Sequence, residues 1–207
     1  MTTTKQKIFD ASIHLFSKEG FSGVSVREIA RNVGIKESSI YNHFKNKDDI
    51  LTKIFDYFQT EMEKTSLSEE YLAEKISSIT GKQFWEKGLT NFLQATLKPE
   101  IQKISKIVLL EMFRNQRARD IALNEFFTRQ QKTTETIFSL MQKKDLTKQN
   151  LDPKVLAMEY TYGMLALQFE YNILNNWNLS TNKVREKMLN HIKFISEISK
   201  NNEGGEM

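Results

Sequence analysis

The sequence predicts an all-α protein, and three observations predict it. The 207 residues include only 8 glycines and 2 prolines, too few for the many tight turns of a sandwich or barrel. Apolar residues recur at three- and four-residue steps along most of the chain, the period of a helix face. Helix start and stop signals bracket those stretches. With 39% hydrophobic and 27% charged residues, the composition is that of an ordinary globular chain able to bury a sizeable core.

The elements follow in order. Ile8, Ala11, Leu15 and Phe16 share one face of a first helix, which Gly20 ends. Phe21–Val24 is a connector. Ser25 and Glu28 form a capping box, a Ser with a Glu three residues on, and open a short helix running to about Val33. Gly34 stops it, and Lys36–His43 make another. Asn46 caps a fourth helix, with Asp48 and Asp49 at its positive end, running through Ile50, Ile54, Tyr57, Phe58 and Met62. Residues 66–81 read as a connector with a short helix. Further helices are expected at 82–97, 100–114, 117–144, 153–176 and 182–200, two of them announced by Pro99 and by Asp152-Pro153. About nine helices result. They divide into residues 1–50, residues 51–200 and a polar tail, 201–207, expected to be disordered.

Several function classes drop out. With no cysteine, a disulfide framework, a thiolate metal site and a cysteine nucleophile are all excluded. His14, His43 and His191 lack metal-ligand spacing, and no Glu-x-x-His occurs. Neither a Gly-rich phosphate loop nor a Gly-x-Ser-x-Gly elbow is present. The reading is therefore no enzyme, no metal and no cofactor. Met1–Lys5 is polar, and apolar runs such as Ile107–Leu110 are far too short to span a bilayer. A cytoplasmic protein without membrane association is expected. The formal net charge of +4 permits nucleic-acid binding without demanding it.

Val26–Phe44 carries the most specific signal. Two short helices meeting at a wide angle need small and apolar residues at fixed places. Ile29, Val33, Ile35 and Ile40 can share a core, Ala30 is small where the second helix comes close, and Gly34 suits the turn. This is the pattern of a helix-turn-helix, whose second helix enters the DNA major groove. Lys36, Glu37, Ser38, Ser39, Tyr41, Asn42 and His43 face outward in such an arrangement, and most can bond base edges or phosphates. Ser25 and Arg27 open the preceding helix and Lys47 the next, where amide donors and positive charge suit phosphate.

These first fifty residues resemble the DNA-binding domain of the TetR (tetracycline-repressor) family. The resemblance rests on Ile8–Ala11, Leu15-Phe16, Gly20–Ala30, Val33-Gly34-Ile35 and the run Ser39–Lys47, in which Tyr41, His43, Phe44, Asn46 and Lys47 hold a specific spacing. It covers about a quarter of the chain. It implies phosphate contacts for Tyr41, His43 and Lys47, with Ser25, and base-reading or mixed roles for Lys36, Ser38, Ser39 and Asn42, with Arg27. Plainer roles stand beside these: half-buried packing for Tyr41, a solvated helix end for His43, a surface lysine for Lys47. Phe44 is read as core.

In the remaining two-thirds, Val155, Met158, Tyr162, Leu165, Phe169 and Ile173 keep helical spacing, as do Val184, Met188, Ile192 and Ile195, while Leu189, Phe194 and Ile198 widen the last apolar surface. Helices apolar over more than one face bury more than one side. An intramolecular core and a four-helix bundle between two copies both satisfy that, and the resemblance favours the bundle. Met158, Tyr162, Leu165, Phe169, Met188, Ile192 and Ile195 are the expected interface. Phe84, Trp85, Phe92, Met112, Phe113, Phe126, Tyr160 and Met164 are candidates to line a pocket for a small, mainly apolar effector, or simply to fill a core.

The sequence thus predicts a helix-turn-helix head followed by a larger helical ligand-binding and dimerisation domain. A homodimer would hold an inverted-repeat operator and release it when an effector binds. A ligand-independent regulator or activator with the same head, and a helical protein-interaction module, are the alternatives.

Overall fold

The computed structural model describes residues 3–78 and 98–201. α1 (Thr4–Glu19) starts where the Thr3 hydroxyl accepts the Gln6 amide at 3.2 Å, and stops at Gly20, whose φ is 75°. α2 (Val26–Val33), α3 (Glu37–Tyr41), α4 (Lys47–Glu63), α5 (Glu69–Ser78), α6 (Pro99–Glu111) and α7 (Gln116–Ile121) follow. A π-helical turn over Ala122–Thr128 leads without a break into α8 (Arg129–Lys143), then α9 (Pro153–Asn176) and α10 (Asn182–Ser199). With Gln116–Lys143 taken as one helix, the described residues form nine, and the fold is all-α. Asp152 accepts the Lys154 amide at 2.8 Å with Pro153 in the first turn, as its sequence signal predicts. The helix expected at 82–97 and tail residues 202–207 lie outside the described residues. No described helix is long and apolar enough to cross a membrane.

The described chain packs as two compact units, residues up to 66 with 98–123, and 67–78 with 124–201. In the first, α1 packs on α2, α4 and α6. Ile8, Phe16, Ile29, Ile40, Ile54, Phe58, Ile104 and Ile107 are fully buried there. Each contributes at most about 1.5–3 kcal/mol of burial free energy. Residue 50 lies inside α4, and the buried residues of that helix, Ile50 to Phe58, share a core with the helix-turn-helix and α6. Polar ties reinforce the packing. The Tyr57 hydroxyl donates to Glu100 at 2.9 Å, and burial, helped by that carboxylate, pushes the phenol up to about 12. Arg117 donates to Asp56 and holds its carboxyl below the usual range.

In the second unit α9 lies against both α8 and α10, and α5 against α8. The loop after α8 is sewn to the end of α10 by a bridge between Thr147 and Lys200 and by the Lys148 amide donating to Ser199 O at 2.8 Å. Where α9 meets α10, a Cβ built on Gly163 would come within 2.4 Å and 2.5 Å of the His191 ring. That ring is held in place. Its Nε2 lies 3.1 Å from the Tyr160 carbonyl, which can only accept, so Nε2 carries the proton. It also stacks on the Tyr160 ring, with centroids 5.9 Å apart. Gly163→Ala is expected to destabilise the protein by about 1–3 kcal/mol through overpacking. His191→Ala in the same chain should relieve most of that cost, read as non-additivity in urea unfolding. Additive losses would place the origin of the effect elsewhere.

α9 is apolar on two opposite faces. Leu156, Ala157, Met164 and Tyr171 are buried. Val155, Met158, Tyr162, Phe169 and Ile173 are exposed, Phe169 by 57% and Tyr162 by 48%. Leu165, half-buried, completes this outer stripe. On α10 the structure corrects the expected interface. Met188, Ile192 and Ile195 face the chain's own interior, at 0%, 4% and 2% exposure, because they form the seam with α9. Leu189, Phe194 and Ile198 are the exposed apolar residues of that helix.

Candidate nucleic-acid interface

The helix-turn-helix is assembled by local chemistry. The Ser25 hydroxyl accepts the Glu28 amide at 3.2 Å, and the Glu28 carboxylate accepts the Ser25 amide at 2.7 Å, completing the capping box. The Ser25 amide and hydroxyl hold the Glu28 carboxyl below its usual range. At the other end of α2, Gly34 adopts φ 76° and ψ 33°. Its amide bonds Arg31 O at 3.2 Å, and the Ile35 amide bonds Ala30 O at 3.0 Å, the paired bonds of a Schellman turn. A Cβ on Gly34 would meet nothing within 4 Å, so backbone conformation rather than space calls for glycine. Asn46 caps α4 by accepting the Asp49 amide at 2.8 Å, and the Asp49 carboxylate accepts the Lys45 amide at 2.9 Å.

This frame turns one side of α3 inward and the other outward. Ile40 and Phe44 are buried at 0% and 3%, with Ile29 and Ala30 beneath them. Lys36, Ser38, Asn42 and His43 are exposed, Tyr41 is 51% exposed and Ser39 is half-buried. Arg27 is exposed on α2. Among the described residues, no hydrogen bond or ion pair occupies the side chains of Arg27, Lys36, Ser38, Asn42 and His43. The outcome is a polar face of donors and acceptors with two basic groups, Arg27 and Lys36, and one exposed acid, Glu37. It suits a phosphate-lined groove carrying base edges.

Two expected phosphate ligands are already engaged. The Ser25 hydroxyl serves the capping box. Lys47 turns toward the connector, where its ammonium donates to Phe21 O at 2.9 Å and Val24 O at 2.8 Å and sits 4.2 Å from the centre of the Phe21 ring. Two of its three N–H donors are thereby used.

The expected pocket residues scatter. Phe84, Trp85 and Phe92 lie outside the described residues. Phe113 follows the end of α6 and is 89% exposed, so the described residues do not enclose it as a pocket wall. Met112, Phe126 and Tyr160 are half-buried and Met164 is buried. Glu111 is the residue the sequence reading missed. Its carboxylate is buried and accepts the Phe21 amide at 3.1 Å. The available signal was an acid one helical turn beyond Ile107 on the apolar face of α6, where a charge needs a partner.

Comparison with known proteins agrees with this geometry. Residues 8–54 match the family model described as bacterial regulatory proteins, tetR family. The HTH-type transcriptional regulator AcrR of Shigella flexneri is 37% identical over 71 residues, 34% of this chain and 32% of that protein. The chain spans about a third or less of the length of such curated relatives. Among solved structures, SmeT, the repressor of the Stenotrophomonas maltophilia multidrug efflux pump SmeDEF, superposes with a TM-score of 0.63 at 14% identity, covering 98% of this chain and 93% of that one. SmeT is also known in complex with triclosan. A regulator from Saccharomonospora viridis, in complex with choline, gives a TM-score of 0.66 at 17% identity, covering 96% and 98%. At such identities the likeness is one of fold.

Proposed function

We propose, on the premise that the chain belongs through residues 8–54 to the TetR family of bacterial regulatory proteins, that it is a dimeric repressor holding an inverted-repeat operator and released by a small molecule. The observation that carries this reading is the outer face of α3, polar, exposed and unspent, on a helix whose inner face is locked by Ile40. One such head reads only a few base pairs. Two heads about one turn of DNA apart, ~34–36 Å, read a palindrome with combined affinity. The outer stripe of α9 offers the surface that would join two copies, because a helix with apolar residues on opposite faces is stable only when both are covered.

In this reading Lys36, Ser38, Ser39 and Asn42, with Arg27, contact bases. Tyr41 and His43 contact phosphates, and Ser25 and Lys47 support them from the ends of α2 and α4. The effector is small and mainly apolar, in line with the triclosan seen on a protein of like fold. It needs only to bind better to a dimer whose heads are misplaced for the operator, and the DNA-bound population then falls by that difference in affinity.

The test is a footprint and gel shift on the DNA upstream of the protein's own gene. The expected result is protection of an inverted repeat, with log K falling against log salt by about 0.9 per phosphate neutralised. Protection of a single unrepeated half-site would overturn the dimeric reading. No shift even at low salt would overturn the DNA-binding one and favour a protein-interaction module.

A further inference from the structure

Glu111 ends α6 and is a buried residue, 2% exposed. A carboxylate is costly to bury without partners. Its partners are the Phe21 amide at 3.1 Å and Arg114 Nε at 3.2 Å. Phe21 lies 90 residues away, in the short connector that delivers the chain from α1 to the helix-turn-helix. The same connector is gripped by Lys47, which takes the carbonyls of Phe21 and Val24. Phe21 is therefore held at its N–H by an anion and at its C=O by a cation. Two neighbouring glycines constrain the connector. Gly20 adopts a φ of 75°, which side-chain-bearing residues rarely take, and the Glu111 carboxylate lies in ordinary contact range of where its Cβ would be, 3.8 Å. A Cβ on Gly23 would come within 2.5 Å of Glu19 O.

We propose that Glu111 is a positioning residue for DNA binding, fixing the α1–α2 connector from the end of α6 and so setting how the reading helix is presented. This rests on the reading of α3 as a DNA-contacting helix. Glu111 touches no base or phosphate in that scheme. It acts through the connector, through the capping box that begins at Ser25, and so through α2 to α3. The position of α6 reaches the DNA-reading face by a direct polar bond as well as by apolar packing.

The test compares wild type, Glu111→Ala, Glu111→Gln and Arg114→Ala on a duplex carrying the footprinted operator and on an unrelated duplex, by fluorescence anisotropy over a salt series. Glu111→Ala should weaken operator binding by about tenfold or more, the loss of one bond to a charged group. Its affinity for the unrelated duplex and its salt slope should stay unchanged, since every phosphate contact survives. Glu111→Gln keeps an acceptor at the Phe21 amide and should bind within about threefold of wild type. Arg114→Ala, which removes the exposed ion-pair partner and its bond to the Leu110 carbonyl but leaves the Phe21 contact in place, should do the same. Amide exchange at Phe21 should accelerate in the alanine variant alone. Should that variant not fold, Glu111→Asp, which keeps the charge but draws the carboxylate back by one methylene, takes its place with the same expectations. Operator affinity unchanged in a folded variant whose Phe21 amide has become labile overturns the proposal, as does equal weakening on both duplexes or a glutamine variant as weak as alanine. Failure of the wild type to bind any duplex overturns the DNA-binding reading itself.

Discussion

Phe169→Glu is expected to turn the proposed dimer into a monomer and to weaken binding to an inverted-repeat operator by about 10²–10⁴-fold, the share of affinity that linking two heads would supply. Phe169 is 57% exposed in the single chain, on the same face of α9 as Val155, Met158, Tyr162 and Ile173. The stripe runs nearly the length of a 24-residue helix. Glutamate there costs the isolated subunit little, because the position already faces water. Across a two-fold contact each new carboxylate is buried without a partner, a large penalty paid by both subunits. The variant should therefore keep its circular-dichroism spectrum, sediment as a monomer and bind an isolated half-site about as well as wild type. Glu at Met188 should behave differently, because that side chain is buried in the seam between α9 and α10. It should damage the fold itself. A Phe169→Glu chain that still sediments as a dimer with full operator affinity would remove α9 from the interface.

The contrast between Phe169 and Met188 shows where reading a sequence runs out. Helical spacing marks both as apolar positions that must be covered, and it marked the outer stripe of α9 residue by residue. It does not say whether the cover is the chain's own next helix or a second copy. Met188, Ile192 and Ile195 have the same three- and four-residue steps as Val155–Ile173, and only packing separates the two sets. Local chemistry was far more legible. Ser25 with Glu28, Gly34, Asn46 and Asp152-Pro153 each solve a problem at a helix end with residues adjacent in sequence, so their spacing states the answer. The outward face of α3 followed from the same frame, because fixing Ile40 inward leaves Ser38, Tyr41 and Asn42 outward. Contacts between residues distant in sequence were not legible. Neither Glu111 bonding the Phe21 amide nor Gly163 receiving the His191 ring could be inferred without knowing which helices meet. The π-helical turn at Ala122–Thr128 gave no sign either, since apolar spacing there fits a continuous α-helix.

Lys47→Met should lower the stability of the folded chain by about 2–4 kcal/mol, because two bonds to a charged donor are lost at ~1.5–3 kcal/mol each and partial hydration of the site returns some of that. Methionine preserves the apolar stem but leaves the carbonyls of Phe21 and Val24 without their donor and removes the cation from the face of the Phe21 ring. The variant separates two roles that spacing alone had merged. A lysine serving DNA only as a phosphate ligand can be removed at almost no cost to stability, and its loss flattens the salt slope by about 0.9. A lysine that holds the connector does the reverse: unfolding shifts to lower urea, operator affinity falls because the reading helix is less well fixed, and the slope stays as it was. The geometry of Lys47 predicts the second pattern. Lys47→Arg should recover only part of the loss, since a planar guanidinium does not place its donors as a compact ammonium does toward two carbonyls. Equal stability of Lys47→Met and wild type, with a flattened slope, would return Lys47 to the phosphate-binding role. It would also leave Glu111 as the remaining side-chain anchor of the Phe21 peptide among the described residues, so the two variants together decide whether that peptide is gripped from one side or both.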